Sequence, residues 1–192
     1  MLLGRATGDG NTVTCIAGIV HDGTVYIGGD SAGIAGYALT VRADEKVFKK
    51  GEWIFGFTSS FRMGDLIRYS LALPIIPPEL DGHDLRGIMV TEFVNALRST
   101  LKSGGFAKKE NEVETAGTFL VGVRGRLFEI DNDYQVGEPL DGYAAVGCGA
   151  EIAVGSLFTS TDTNPHSRVL TALQAAERHS AGVRGPFHIV TT

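Results

Sequence analysis

The sequence has few cysteines and no excess of basic residues. Its 192 residues include two cysteines, Cys15 and Cys148, and carry a net charge of −5. Two cysteines do not indicate a disulfide framework, and a chain without a basic stripe is not expected to bind nucleic acid. No apolar run approaches the ~18 residues of a membrane span, and segment 1–13 lacks the hydrophobic part of a signal peptide. We therefore expect a cytoplasmic protein with neither a nucleic-acid nor a membrane partner.

The motifs of metal and phosphate binding are also missing. The histidines share no metal-ligand spacing, neither HExxH nor paired CxxC patterns occur, and there is no glycine-rich phosphate loop. We predict neither a metal nor a cofactor. What the chain does have is a globular composition, with 43% hydrophobic and 20% charged residues, and a length that suits one domain.

Apolar runs and turn signals predict strands and helices in separate blocks. Strands are predicted within 14–58 and 118–146 and at 186–190, with turn signals such as Asp22-Gly23 and Arg124-Gly125. Helical periodicity predicts helices at 60–73, 84–101, 150–158 and 165–179, and the charged segment 106–114 is predicted as a loop. Such blocks favour an α+β fold, with antiparallel sheets and helices packed outside them.

Three polar residues in the first strand block form a chemical set. Thr14 opens the first hairpin, Asp30 ends its second strand, and Lys46 lies on a third strand. A threonine hydroxyl is a weak nucleophile that needs a base, and in one solution the base is the threonine's own α-amino group. A neighbouring ammonium lowers the pKa of nearby groups, and an aspartate can hold that ammonium by a charged hydrogen bond. Alone, each residue has a simpler interpretation, as a strand threonine, a turn aspartate or a surface lysine.

This set, together with Gly28-Gly29, resembles the active-site frame of N-terminal-nucleophile hydrolases of the HslV peptidase and proteasome β-subunit type. Gly56–Ser60 falls where that family forms its oxyanion loop, and Ala145–Gly149 resembles its glycine-serine-glycine turn. The resemblance covers nearly the whole chain from Thr14 onward. It implies a four-layer αββα sandwich, in which two antiparallel sheets lie between two helical layers.

The resemblance also implies roles for residues around the nucleophile, with some departures. Ser59 takes the place of the family's oxyanion glycine, and Cys148 that of the serine that hydrogen-bonds the nucleophile's amine. Ser180 is a candidate for orienting the amine. His179 and Gly182 stand where the family has an aspartate and a serine, so those two roles are not carried over.

A substrate pocket is implied beside the nucleophile. Its predicted lining consists of Gly33, Phe48, Phe57 and Phe61. Three aromatic side chains would suit apolar substrate side chains of modest size.

The function that the resemblance implies is that of a threonine endopeptidase acting on proteins or peptides. The family works as homo-oligomeric rings, and HslV has an AAA+ ATPase partner. The amine of Thr14 is bonded to Val13 in this chain, so segment 1–13 is predicted to be a leader that must be removed from the domain 14–192. Two alternatives stay open: a catalytically silent or latent assembly subunit of the same fold, and an N-terminal-nucleophile amidase for small molecules.

Overall fold

A computed structural model describes residues 13–80, 82–110, 113–160 and 164–192. The predicted leader therefore lies outside the described residues except for Val13. No helix in these ranges is long and apolar enough to cross a lipid bilayer. The strands and helices form four layers, which confirms the predicted α+β sandwich.

The strands are β1 (Ile16–His21), β2 (Thr24–Gly29), β3 (Ala32–Ala35), β4 (Ala38–Val41), β5 (Val47–Lys50), β6 (Trp53–Phe57), β7 (Lys108–Glu110), β8 (Val113–Thr115), β9 (Phe119–Val123), β10 (Arg126–Ile130), β11 (Val136–Gly137), β12 (Tyr143–Val146) and β13 (His188–Thr191). The first sheet has the order β12-β1-β2-β13 and the second the order β11-β10-β9-β6-β5. Two separate hairpins, β3-β4 and β7-β8, complete the strands of the described ranges. All of the pairings are antiparallel.

The helices are α1 (Phe61–Asp65), α2 (Gly82–Ile88), α3 (Val94–Ser103), α4 (Ala150–Thr159) and α5 (Pro165–His179). A π-helical turn, Leu66–Ser70, extends α1, and another, Met89–Phe93, joins α2 to α3. The predicted helix at 165–179 is confirmed as α5, which starts where the Asn164 side chain accepts a hydrogen bond from the Ser167 N–H at 3.1 Å. The Asn164 cap and Pro165 at the first helical position explain why this start could be predicted.

Three apolar clusters hold the four layers together. Between the two sheets lie Ile16, Val25, Ile27, Val47, Ile54, Leu120 and Leu127. Between the first sheet and α4–α5 lie Cys15, Ala17, Ile19, Leu157, Val169 and Leu173. Between the second sheet and α1–α3 lie Phe48, Phe55, Phe93, Leu97, Phe119 and Phe128. Because β1 is covered on both faces, its sequence is a continuous apolar run and does not alternate between apolar and polar residues.

The pairing of β1 with β2 positions the chemical set. Ile16 pairs with Gly29, so Thr14 and Asp30 both lie just beyond the same end of the hairpin. At this end the two sheets approach closely, because a Cβ at Gly56 of β6 would lie 2.5 Å from the Ile16 side chain. Lys46 precedes β5 on the facing sheet and reaches the same place.

Two sequence predictions need correction. The segment 106–114 is predicted as a loop, yet its described part contains β7 and the first two residues of β8. In these strands the described side chains are exposed or half-buried, so no apolar alternation marks them. The helix expected over 60–73 ends at Ser70, and the following Leu71 is extended. Lys50 Nζ donates to the carbonyl oxygens of Arg68 and Leu71 at 3.0 and 2.6 Å, which satisfies carbonyls that a longer helix would bond internally.

Candidate active site

Thr14 lies two residues before β1, where it is only 3% exposed. Its carbonyl oxygen accepts a hydrogen bond from the Gly149 N–H at 3.3 Å. Gly147 has a φ of +98°, and a Cβ there would lie 2.3 Å from the Thr14 oxygen. The turn at 147–149 can therefore approach Thr14 only because Gly147 has no side chain.

Lys46 joins Thr14 to Asp30. Lys46 Nζ donates to Thr14 Oγ1 at 2.9 Å and to Asp30 Oδ1 at 2.9 Å, and the two charged side chains are 2% and 0% exposed. The carboxylate of Asp30 also accepts backbone hydrogen bonds from Cys15 (3.0 Å), Ala32 (2.9 Å) and Arg184 (3.3 Å). A buried carboxylate with this many donors stays oriented, and it fixes the lysine against the threonine hydroxyl.

Burial shifts the pKa of two groups here. It lowers the pKa of Lys46 below its ordinary value, and the nearby carboxylate of Asp30 opposes that shift without cancelling it. Burial, followed by the charge of Asp30, raises the pKa of the Cys15 thiol to about 12. Lys46 therefore gives up a proton more readily than a solvated lysine, whereas Cys15 stays a neutral thiol that fills space in the core.

The nitrogen of Thr14 faces a different set of partners. Thr14 N–H donates to Cys148 Sγ at 3.4 Å, and Cys148 Sγ lies 3.2 Å from Ser180 Oγ. Cys148 thus contacts the nitrogen of Thr14, and Ser180 contacts Cys148. Cys148 is exposed, unlike Lys46 and Asp30. A Cβ at Gly182 would lie 2.5 Å from Cys148 Sγ, so the larger sulfur occupies the space that a side chain at position 182 would need.

Ser59 lies in the loop between β6 and α1 with a φ of +67°, a left-handed conformation that glycine adopts more easily. Its Oγ accepts a hydrogen bond from the Thr118 N–H at 3.3 Å. No partner for the Ser59 backbone N–H occurs among the described residues. This main-chain donor can therefore serve an oxyanion although the residue is not glycine.

A cavity of about 570 Å³ opens beside Thr14. Gly33, Phe57 and Phe61 line it together with Thr14, Lys46 and Ser59. Phe48, the fourth residue predicted for the pocket, does not. Its ring is buried between the second sheet and the helices, where it stacks on Phe55 at 5.1 Å. Successive side chains of a strand point to opposite faces, so in β5 Val47 faces the other sheet and Phe48 faces the helices.

Solved structures of other proteins share this architecture over most of their length. Thiobacillus denitrificans BPH has a TM-score of 0.75 and 19% identity, covering 93% of this chain and 97% of that one. The same protein in complex with epoxomicin has a TM-score of 0.74 and 19% identity over 93% and 98%. The eukaryotic HslV from Trypanosoma brucei has a TM-score of 0.65 and 16% identity over 93% and 98%. The chain adopts the HslV-type fold. No protein-family model and no curated protein sequence matches it.

Within this HslV-type fold, sequence reasoning missed two charged residues that line the cavity. Arg42 and Asp44 follow the β3–β4 hairpin, which forms one wall. Both residues lie in an exposed segment, where an arginine and an aspartate two residues apart form no pattern that indicates a binding site. Within the described ranges, no three His, Cys, Asp or Glu side chains are grouped so that they could hold a metal ion.

Proposed function

We propose that this protein is a threonine peptidase in which the Thr14 hydroxyl attacks peptide carbonyls. The observation that carries the proposal is the position of Lys46 Nζ, 2.9 Å from both Thr14 Oγ1 and Asp30 Oδ1. A lysine on a solvated strand edge would be exposed, whereas this one is 2% exposed. Burying a lysine with only one carboxylate partner contributes little to stability, so a chemical role explains its position better than a structural one.

The proposed reaction uses the groups on both sides of Thr14. Once its amine is free, the amine takes the hydroxyl proton while Lys46 stabilises the oxygen that forms the new C–O bond. The carbonyl oxygen becomes an oxyanion that the Ser59 N–H can bind. The proton passes to the leaving amine as the peptide C–N bond breaks. Water then hydrolyses the acyl-enzyme and regenerates Thr14.

The amine of Thr14 is not free while Val13 precedes it. Thr14 Oγ1 hydrogen-bonds to the Val13 carbonyl oxygen, and Val13 lines the cavity. The Val13–Thr14 peptide group therefore lies where a substrate carbonyl would have to bind. We propose that removal of segment 1–13, by self-cleavage or by another protease, opens the site and supplies the base.

We further propose that the active protein is a homo-oligomeric ring that degrades protein or peptide substrates and works with an AAA+ ATPase. The support for this step is the HslV-type fold. Light scattering on the trimmed protein tests it, because a monodisperse monomer at micromolar concentration would contradict a ring.

A second candidate is an assembly subunit without activity. The peptide bond between Val13 and Thr14 favours it, as does the weaker hydrogen-bonding thiol of Cys148 beside the Thr14 nitrogen. N-terminal sequencing of the purified, assembled protein separates the two candidates. A threonine at the N-terminus supports the peptidase, and the retained leader supports the silent subunit.

The decisive experiment compares the chain from Met1 with a shortened chain in which Thr14 directly follows the initiator methionine. Methionine is removed before a small residue, so the shortened chain should expose Thr14. We expect only the trimmed form to hydrolyse fluorogenic peptides and to bind epoxomicin, the compound bound to the similar BPH. A trimmed, assembled protein that does neither contradicts the proposal.

A further inference from the structure

Arg42 spans the cavity beside Thr14. Its backbone N–H donates to the Ser31 carbonyl at 2.9 Å, which closes the base of the β3–β4 hairpin. Its guanidinium carbon lies 3.7 Å from the centroid of the Phe61 ring, at the start of α1 on the other wall. Arg42 therefore connects the two walls, and its side chain stays 40% exposed to solvent.

Asp44 fixes the guanidinium in this position. Arg42 Nε and Nη2 donate to Asp44 Oδ1 and Oδ2 at 2.8 and 2.5 Å, a bidentate pair. Gly33 leaves room for the arginine stem, because a Cβ at Gly33 would lie 2.7 Å from Arg42 Cδ. Asp65 also attracts the guanidinium, but less strongly than Asp44.

The charges that line the cavity are balanced. They belong to Arg42, Asp44 and Lys46, and Lys46 is already paired with Asp30. The rest of the lining is mostly small or apolar: Ala32, Gly33, Ile34, Ala35, Ala38, Val41, Phe57 and Phe61. A substrate carboxylate would find no unpaired cation here, because Arg42 is held by Asp44 and Lys46 by Asp30, whereas an apolar side chain would gain from contact with the apolar lining.

We propose that the Arg42–Asp44 pair determines the specificity of this cavity. The pair makes the site select peptides whose attacked carbonyl belongs to an uncharged, apolar residue. It excludes acidic residues because the Arg42 guanidinium, which would bind their carboxylates, is already paired with Asp44. The proposal rests on the proposed peptidase function. Replacing Asp44 by a neutral residue would free Arg42 to pair with a substrate carboxylate.

The test uses the trimmed protein and two fluorogenic peptides. They differ only in the residue whose carbonyl is attacked, which is Leu in one peptide and Glu in the other. We expect Asp44→Asn to raise the Glu-to-Leu ratio of kcat/KM about tenfold or more, and Arg42→Met in the Asp44→Asn background to return it toward the parent value. Glu138→Gln is the matched control. It breaks the Arg126–Glu138 pair, which has the same bidentate form at 2.7 and 2.5 Å and does not line the cavity.

A ratio that stays at the parent value in folded Asp44→Asn overturns the specificity role, and so does an equal change in Glu138→Gln. If the parent hydrolyses neither peptide, the peptidase function fails, and the specificity role is then decided by binding. Fluorescence anisotropy with Thr14→Ala, alone and combined with Asp44→Asn, gives the ratio of Kd values for the two peptides. A shift of that ratio toward Glu supports the pair as the selective element, and an unchanged ratio overturns it.

Discussion

Thr14 is held from two sides that differ in burial and in the strength of their bonds. On the hydroxyl side, Lys46 and Asp30 are buried and form charged hydrogen bonds of 2.9 Å. On the nitrogen side, Cys148 is exposed and its contacts with Thr14 N and Ser180 Oγ are 3.4 and 3.2 Å. A buried ion pair cannot lose one member without leaving an uncompensated charge, whereas water can replace an exposed thiol contact.

This difference runs parallel to the sequence resemblance described above. Lys46 and Asp30 match it, since each is fixed by the other in a place that water does not reach. Cys148 and Gly182 depart from it together, because the larger sulfur takes the space of a side chain at position 182. Once the Thr14 amine is free, we therefore expect Lys46 and Asp30 to control whether the reaction occurs, and Cys148 and Ser180 to adjust its rate.

The largest effect should come from the residue that both sides share. In the trimmed protein, Thr14→Ala should reduce peptide hydrolysis by roughly 10³-fold or more, because no hydroxyl remains to attack the carbonyl. Thr14→Ser, which keeps a hydroxyl and an amine, is the matched control and should retain measurable turnover. Comparable kcat/KM for Thr14→Ala and the parent would remove Thr14 from the mechanism.

The next largest effect concerns the buried pair. Lys46→Met and Asp30→Asn should each lower kcat of the trimmed protein by roughly 10²-fold or more, since both remove the oriented ammonium at Thr14 Oγ1. Asp30→Asn should also lower the free energy of unfolding by about 3–5 kcal/mol, because it leaves the Lys46 charge buried without its partner.

Urea unfolding checks the second part of that prediction. The double variant Lys46→Met/Asp30→Asn should lose less stability than the sum of the single variants, since no unpaired charge remains. If both single variants turn over peptides like the parent, the pair has only a structural role.

A smaller effect is expected on the nitrogen side. Cys148→Ser should raise kcat of the trimmed protein a few-fold, because a hydroxyl is a better hydrogen-bond partner than a thiol for the Thr14 amine. Cys148→Ala should lower it by a similar factor. A loss as large as that of Lys46→Met would show that the two sides are equally important, contrary to the comparison above.

Much of the fold and part of the site could be predicted because local signals and buried positions coincide. The turn at Asp22-Gly23 indicated the β1–β2 hairpin, whose register brings Thr14 and Asp30 to one end. Asn164 and Pro165 marked the start of α5. In these places capping or turn chemistry and the apolar pattern point to the same structure.

Other features could not be predicted, because they depend on contacts between elements distant in the chain. All four residues of β4 are exposed, so no buried apolar face in the sequence predicts the β3–β4 hairpin that forms one wall of the cavity. The family resemblance places Phe48 in the pocket. The helical layer that covers it cannot be inferred from the strand's own residues. Arg42 acquires its position only through Asp44 and the Phe61 ring.

The smallest effect concerns Cys15, which follows Thr14 and whose pKa is raised from 9.0 to about 12 by burial. The folded state keeps this thiol protonated, so its stabilising effect is complete below pH 9.0 and is lost as the pH rises toward 12. Between pH 8 and 10 this group should lower the free energy of unfolding by about 1 kcal/mol. Lys46 acts oppositely, since its lowered pKa makes stability rise with pH toward its ordinary value of 10.5. The test is urea unfolding at pH 8, 9 and 10. From pH 8 to pH 10 the free energy of unfolding of Cys15→Ala should fall by about 1 kcal/mol less than that of the parent. If the free energies of the two proteins change equally with pH, the raised pKa is contradicted.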